Sequence, residues 1–333
     1  MHNKFKLSFL ITVLLIILIV TVSCLFAKHT YTKTDYVLNT IVKITIEAKT
    51  ANQAKAMATL ATDEAKRIEN LLSCYKEESD VYRINNYAHT EPIKVSGETY
   101  ELIKRCLYYN RLTDGAFDIT VKPLVDLWNI NSANPQVPND ADIKSALAVV
   151  GISNIILMEG NRVYIKNPKT KIDLGGVAKG YCANRIKQIL ENNGITNALI
   201  DLGGNIYAMG KNQNGDSWNI GIQKPFAQRG ETIKSIKLSN QSAVTSGAYE
   251  RYFEYNENIY HHILNPETGY PAESDFKSVT VISTDSELCD ALSTALFVAG
   301  MQKVEAICKK IDSIYVMAVN NNDKVTEFGN KSK

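Results

Sequence analysis

The chain has 333 residues, 45% of them hydrophobic and 22% charged, the composition of a globular protein with a substantial core. A formal net charge of +2, with no Lys/Arg-rich run, argues against nucleic-acid binding. The cysteines are widely spaced and form no Cys-x-x-Cys, which argues against a disulfide framework or a zinc site.

His2, Lys4 and Lys6 precede an uncharged apolar run over residues 7–27, and this order reads as an export signal. Thr21-Val22-Ser23-Cys24 closes the run and resembles a lipobox, in which Cys24 becomes the lipidated first residue. Thr21 stands where Leu, Val or Ile is usual. About 20 apolar residues also span a bilayer, so an uncleaved anchor is the alternative. Either reading puts the globular part on the extracytoplasmic face of the cell membrane. Residues 1–23 are thus read as signal peptide, 24–34 as linker and 35–330 as the folded domain.

Tyr36 to Ile46 alternates and is predicted as one strand, with Leu38-Asn39-Thr40 inside it. Residues 51–72 are amphipathic, with Met57, Leu60, Ala61, Ile68, Leu71 and Leu72 on one face, and predict a helix. Ser73-Cys74-Tyr75 and a polar loop through Ser79 and Asp80 follow. A second helix is expected over 98–112, stopping at Asp114-Gly115. Ala116-Phe117-Asp118 directly after that stop suits a loop lining a ligand, although core packing explains Phe117 equally well. A short helix over 139–149 and strands around Ile155, Val163 and Ile172 come next.

Residues 171–181 read Lys-Ile-Asp-Leu-Gly-Gly-Val-Ala-Lys-Gly-Tyr. Ala178, Cys182, Ala183, Ile186, Ile189 and Leu190 recur at threes and fours, so a helix should start near Gly176. The glycines allow close backbone approach, and the free N–H groups and dipole of a helix start favour an anion such as phosphate. Lys179 adds a positive charge in the first turn, and Asp173 stands just before the glycines. Plain packing also produces such junctions. Asp201-Leu202-Gly203-Gly204 repeats the motif and is predicted as a tight turn in a sheet. Further on, 218–236 reads strand–loop–strand, and 243–247 reads as a small-residue turn. Aromatic strands are expected over 249–255 and 259–264, a buried strand over 277–282, helices over 288–298 and 304–311, and a last strand over 314–319. Without a regular β-α-β rhythm, the fold class is α+β, with mixed or antiparallel sheets and packed helices in one large domain of two lobes.

Thr284-Asp285-Ser286-Glu287 fits a capping box. Asp290 and Thr294, four apart on the helix that follows, share one face of an otherwise apolar segment. Burying a carboxylate and a hydroxyl together requires a partner, and their hard oxygens suit Mg²⁺. A polar network at the helix start, without metal, is the alternative. His262 ends a strand beside an Asn-Pro turn, where it suits a general base or a phosphate donor, unless it is structural. Its neighbour His261 should face the other way. Ser246 lacks a Gly-x-Ser-x-Gly elbow, which argues against a serine hydrolase. Cys182 and Cys308 fall on amphipathic patterns and are expected as buried thiols.

These pieces, in this order, resemble the ApbE family, the FAD:protein FMN transferases. The matching runs are Gly115-Ala-Phe-Asp-Ile-Thr-Val-Lys-Pro-Leu, Ile172-Asp-Leu-Gly-Gly-Val-Ala-Lys-Gly-Tyr, Asp201-Leu-Gly-Gly-Asn and Val244-Thr-Ser-Gly. His261-His-Ile-Leu-Asn-Pro-Glu-Thr-Gly and Asp290-Ala-Leu-Ser-Thr-Ala complete the set, which covers roughly Tyr36 to Val319. The resemblance implies Mg²⁺-dependent splitting of the FAD pyrophosphate, attachment of FMN by a phosphoester to Thr or Ser of an acceptor protein, and release of AMP. It implies Asp290, Thr294 and the Gly176 carbonyl as metal ligands and Lys179 as pyrophosphate holder. It also implies Leu38, Tyr75, Ala116, Phe117, Asp118, Asp173 and Leu264 as flavin or adenosine contacts. His262 is the implied residue for steering or deprotonating the acceptor hydroxyl. The implied acceptors are subunits of membrane redox complexes. Two positions depart from the family pattern: Leu38-Asn39 where Met-Gly is common, and Asn265 where Asp is common. An FAD-carrying lipoprotein and an FAD pyrophosphatase are the alternative functions.

Overall fold

The computed structural model describes residues 28–330, together with Thr12. The expected signal segment and Cys24 lie outside the described residues. In chain order the strands are β1 (His29–Val37), β2 (Thr40–Ala48), β3 (Ile93–Lys94), β4 (Ile155–Met158), β5 (Arg162–Ile165), β6 (Asn197–Leu202), β7 (Asn205–Met209) and β8 (Trp218–Gln223). They continue as β9 (Thr232–Leu238), β10 (Gln241–Gly247), β11 (Tyr252–Tyr255), β12 (Asn258–His261), β13 (Phe276–Ser283), β14 (Tyr315–Asn320) and β15 (Val325–Gly329). The helices are α1 (Ala51–Leu72), α2 (Asp80–Tyr87), α3 (Gly97–Leu112), α4 (Lys122–Trp128), α5 (Asp140–Leu147), α6 (Ala178–Asn192), α7 (Ser286–Ala299) and α8 (Met301–Lys310).

Eight strands form one antiparallel sheet in the order β1-β2-β6-β7-β10-β13-β14-β15. Side chains alternate across it, so each face collects its own apolar row. Ile44, Ile200 and Tyr207 lie in register across β2, β6 and β7 and are buried under α1 and α6. Ala243, Ile282 and Tyr315 lie in register across β10, β13 and β14, and the β8–β9 hairpin covers them with Ile220, Ile222 and Leu238. Helices α7 and α8 bury Leu292, Leu296, Phe297 and Val304 against Val279 and Val281. The class is α+β, as expected, and the three small sheets β3-β5-β4, β8-β9 and β11-β12 decorate the large one.

Several elements differ from expectation. The single strand over 36–46 is a hairpin, because Leu38 and Asn39 both take φ of 56° and form a two-residue turn between Val37 and Thr40. Leucine rarely accepts that conformation, so the turn carries no sequence signal. The polar loop at Ser79 opens α2, where the Ser79 hydroxyl accepts from the Tyr82 amide. Residues 243–247 are an interior strand, β10; their small side chains bring α7 close enough for Ser246 and Ser293 hydroxyls to meet at 2.8 Å. The capping box is not formed, because Asp285 caps α7 and Glu287 turns away to Arg105. The chain also adds a final strand, β15, beyond the one expected at 314–319.

Candidate functional site

The Gly175-Gly176 junction is shaped by its neighbours. Asp173 donates its amide to the Ile119 carbonyl at 2.7 Å and accepts the Gly175 amide on Oδ1 at 2.7 Å, which turns the chain into α6. A side chain on Gly176 would place its Cβ 3.3 Å from the Phe117 ring and 3.8 Å from the Thr294 hydroxyl. The bare backbone there therefore lies between the loop after α3 and the polar face of α7.

That face carries Asp290, which is 2% exposed. Its Oδ2 accepts the Gly180 amide at 2.9 Å, and its Oδ1 lies 3.6 Å from Lys179 Nζ. Lys179 Nζ also reaches the Gly175 carbonyl at 3.4 Å. Thr294 follows one turn later, its Oγ1 3.2 Å from the Ser246 hydroxyl. The helical spacing thus brings carboxylate and hydroxyl to one place, opposite the start of α6.

His262 follows β12 directly. Its amide donates to the Arg251 carbonyl at 3.1 Å, and its Nδ1 lies 3.3 Å from the same oxygen. A carbonyl only accepts, so in the neutral ring Nδ1 holds the proton and Nε2 keeps the lone pair. Protein encloses the ring except where it borders the cavity. That enclosure, with Arg251, His261 and Lys179 nearby, pushes its pKa down to about 3. His261 does face the other way: it is buried against Phe297, and its Nε2 meets the Ala272 carbonyl at 3.1 Å.

One cavity of about 990 Å³ joins these groups. Leu38, Tyr75, Ala116, Phe117, Asp118, Asp173, Gly176, Lys179, His262, Leu264, Asp290 and Thr294 all line it. They do not stand alike. Tyr75 is exposed at the rim, with Lys122 Nζ 4.8 Å from its ring centre. Asp118 is engaged internally, accepting from the Thr120 amide at 2.7 Å and from Asn110 at 3.2 Å, while burial pushes its carboxyl pKa up. Cys74 points its thiol at Asp173, 3.9 Å away. Among the described residues, no group of three or more His, Cys, Asp or Glu side chains converges as a metal cluster.

The ApbE family model matches residues 38–318. The chain belongs to the ApbE family. It is 40% identical over 266 residues to an FAD:protein FMN transferase of Klebsiella pneumoniae (strain 342), covering 79% of this chain and 82% of that one. It is 33% identical over 279 residues to the protein of the same name from Vibrio cholerae, covering 82% and 83%. Among solved structures it superposes on the ApbE protein of Thermotoga maritima with a TM-score of 0.83 and 37% identity, covering 90% of this chain and 97% of that one. For the flavin transferase ApbE of Vibrio cholerae the TM-score is 0.81 and the identity 29%, with 92% and 98% covered.

Other residues of this ApbE fold reach the cavity without a local signal. Arg229 arrives on the β8–β9 loop, and Arg251 between β10 and β11, where its guanidinium donates to the Asn39 carbonyl at 3.0 Å. Gly203 and Gly204, expected as a tight turn, join β6 to β7 with φ of 67° and 90° and also line the cavity. A Cβ on Gly203 would fall 1.9 Å from the Thr40 hydroxyl, so the β6–β7 and β1–β2 turns lie side by side at the rim. Asn265 is not among the lining residues; its Oδ1 accepts the Glu267 amide at 2.8 Å, a turn-shaping bond that an Asp would make equally.

Proposed function

We propose that the protein is an FAD:protein FMN transferase, splitting the FAD pyrophosphate and joining FMN to a Thr or Ser of an acceptor protein with release of AMP. One observation carries the reading: a single cavity gathers the Gly175-Gly176 helix start with Lys179, the Asp290–Thr294 pair and the neutral His262. At about 990 Å³ it lies at the top of the usual range for small-molecule sites, as a ligand with two ring systems needs.

The donor set fits Mg²⁺. Asp290 has one carboxylate oxygen facing Lys179, Thr294 offers a hydroxyl, and Gly176 has no side chain to shield its backbone. Hard oxygens of this kind hold Mg²⁺ with the remaining positions left to water and phosphate. Asp290, Thr294 and the Gly176 carbonyl would hold the ion, which when bound offsets negative charge on the pyrophosphate oxygens. Lys179 swings from the Gly175 carbonyl onto the pyrophosphate and adds a second positive charge, with the α6 dipole behind it. Phe117, Leu38, Leu264 and exposed Tyr75 supply apolar walls for the rings.

In the transfer, the acceptor hydroxyl oxygen bonds to the flavin-side phosphorus. The bond from that phosphorus to the bridging oxygen breaks, and AMP leaves with the bridging oxygen. The hydroxyl proton passes to Nε2 of His262. His262, a weak base among its protein neighbours, gains basicity once two phosphates come close. Positioning and charge neutralisation carry most of such a step. The acceptors are subunits of membrane redox complexes, and Cys24 tethers the enzyme by lipid to the extracytoplasmic face of the cell membrane.

The test mixes the detergent-solubilised full chain with FAD, Mg²⁺ and an acceptor domain, and weighs the acceptor by mass spectrometry. A gain of FMN minus water, lost with EDTA, is expected. AMP without a heavier acceptor would instead make the protein an FAD pyrophosphatase, and FAD held without either product would make it a carrier.

A further inference from the structure

The starts of α6 and α7 cap each other. Helix α6 has no side-chain cap of its own at Val177, and Asp290 of α7 supplies the missing acceptor through the 2.9 Å bond from the Gly180 amide. In return, Asn184 of α6 accepts the first amide of α7, that of Ser286, at 3.0 Å. The same side chain donates to Asp285, the N-cap of α7, at 2.7 Å. Gly180 stands at the closest approach: a Cβ there would lie 2.2 Å from the Ser286 carbonyl oxygen and 2.8 Å from Asp290 Cβ. Only glycine lets the two helix starts come this near.

We propose that Asn184 and Gly180 are positioning residues of the transferase site, forming a reciprocal capping joint that sets Lys179 and Gly176 against Asp290 and so tunes cation affinity. The proposal rests on the reading of Asp290 as a cation ligand. Capping fixes the Asp290 carboxylate with one oxygen committed to Gly180 and the other turned toward Lys179. Lys179 and Gly176 lie within four residues of Gly180, so the start of α6 moves as one piece when the joint opens. Asn184 is not among the residues lining the cavity, and its effect passes through Ser286 and Asp285. Residues that orient metal ligands in this indirect way typically change affinity by about 10–100-fold.

The test compares Asn184→Ala with Asn197→Ala in the detergent-solubilised full chain. Asn197 sits at the far end of β6, paired with Glu47, and reports a general loss of stability. Asn184→Asp keeps the oxygen that the Ser286 amide needs but loses the donor to Asp285 and sets two carboxylates against each other, so it still opens the joint and replaces Asn184→Ala if that variant does not fold. Two quantities are read: hydrogen exchange of the Gly180 amide without metal or FAD, and Mg²⁺ affinity by calorimetry. The Asn184 variant should speed Gly180 exchange and weaken Mg²⁺ binding about tenfold, with Asn197→Ala near wild type in both. Unchanged Gly180 exchange would overturn the joint whatever the function of the protein. Equal weakening of Mg²⁺ binding in both variants would reduce Asn184 to a structural residue. Wild-type protein that binds no Mg²⁺, with Gly180 exchange still faster in the variant, would overturn the cation reading and leave only a structural joint.

Discussion

The Gly180 amide and the Asp290 carboxylate meet at 2.9 Å, so one side chain caps a helix and faces the candidate reaction centre at once. The two tasks separate by substitution. Asp290→Asn keeps an acceptor for the Gly180 amide but loses the charge, so FMN transfer should fall at least 100-fold while the melting temperature stays close to wild type. Asp290→Ala loses both, and lost caps cost about 1–2 kcal/mol. Transfer assays and thermal melts of the two variants check this; a destabilised Asn variant with retained transfer would reverse the assignment.

The low pKa of His262 has a consequence for acid stability. The unfolded chain protonates this residue near the ordinary histidine value of ~6.5, and the folded state only at about 3. Between those values the unfolded state binds more protons, so this group makes stability fall as pH drops below ~6.5 and has no effect above it. The slope is at most ~1.4 kcal/mol per pH unit, less where cavity water reaches the ring. His262→Gln should flatten the decline in melting temperature between pH 6.5 and 4.5. His261, also pushed down by burial, remains in both proteins and keeps part of the slope. Equal slopes would show that His262 is protonated without strain in the fold.

What the sequence made legible was local. Asp290 and Thr294 share a helix face by spacing alone, and the Gly175-Gly176 junction is marked by residues that are neighbours in the chain. Helix α1 was equally plain, since Ala61, Ile68 and Leu72 recur at helical spacing and are buried. The hairpin at Leu38-Asn39 was illegible because its left-handed turn contains leucine, held there by tertiary bonds that the Leu38 amide donates to Glu69 and the Arg251 guanidinium donates to the Asn39 carbonyl. Small residues at 243–247 suggested a turn, yet their size serves a close helix. Arg229 enters the cavity because the β8–β9 hairpin packs on the large sheet, and Arg251 because β10 pairs with the distant strands β7 and β13, which no local pattern encodes.

The described cysteines should be inert. Burial, with Asp173 nearby, pushes the Cys74 thiol up to about 12, and Cys106, Cys182, Cys289 and Cys308 are also raised by burial. The thiolate is the reactive form, so almost none is present at pH 8. Iodoacetamide at that pH should leave these five thiols unmodified in the folded protein, and reductant should change neither melting temperature nor transfer. Peptide mapping by mass spectrometry decides it; rapid labelling of Cys74, which lines the cavity, would mean that the site opens in solution.

Glu287 shows how the second half of the fold is fastened to the first. Arg105 on α3 grips it with bonds of 2.6 Å and 2.9 Å, and the Tyr109 hydroxyl adds a third at 3.0 Å. Glu287 is 4% exposed, and burial raises its pKa despite the arginine. Removing one member of such a pair strands a buried charge, which costs more than the pair contributes. Arg105→Met should therefore destabilise by about 2–3 kcal/mol, below the full figure for a buried pair because Arg105 keeps partial access to solvent. Adding Glu287→Leu should restore part of the loss, since apolar side chains of similar volume replace a buried pair well, while the Tyr109 hydroxyl loses its acceptor. Neither residue lines the cavity, so KM for FAD should stay at the wild-type value in the double variant. Chemical denaturation of both variants reads the first two effects. A double variant no more stable than Arg105→Met would mean that the pair, and not merely the avoidance of an orphaned carboxylate, holds α3 to α7.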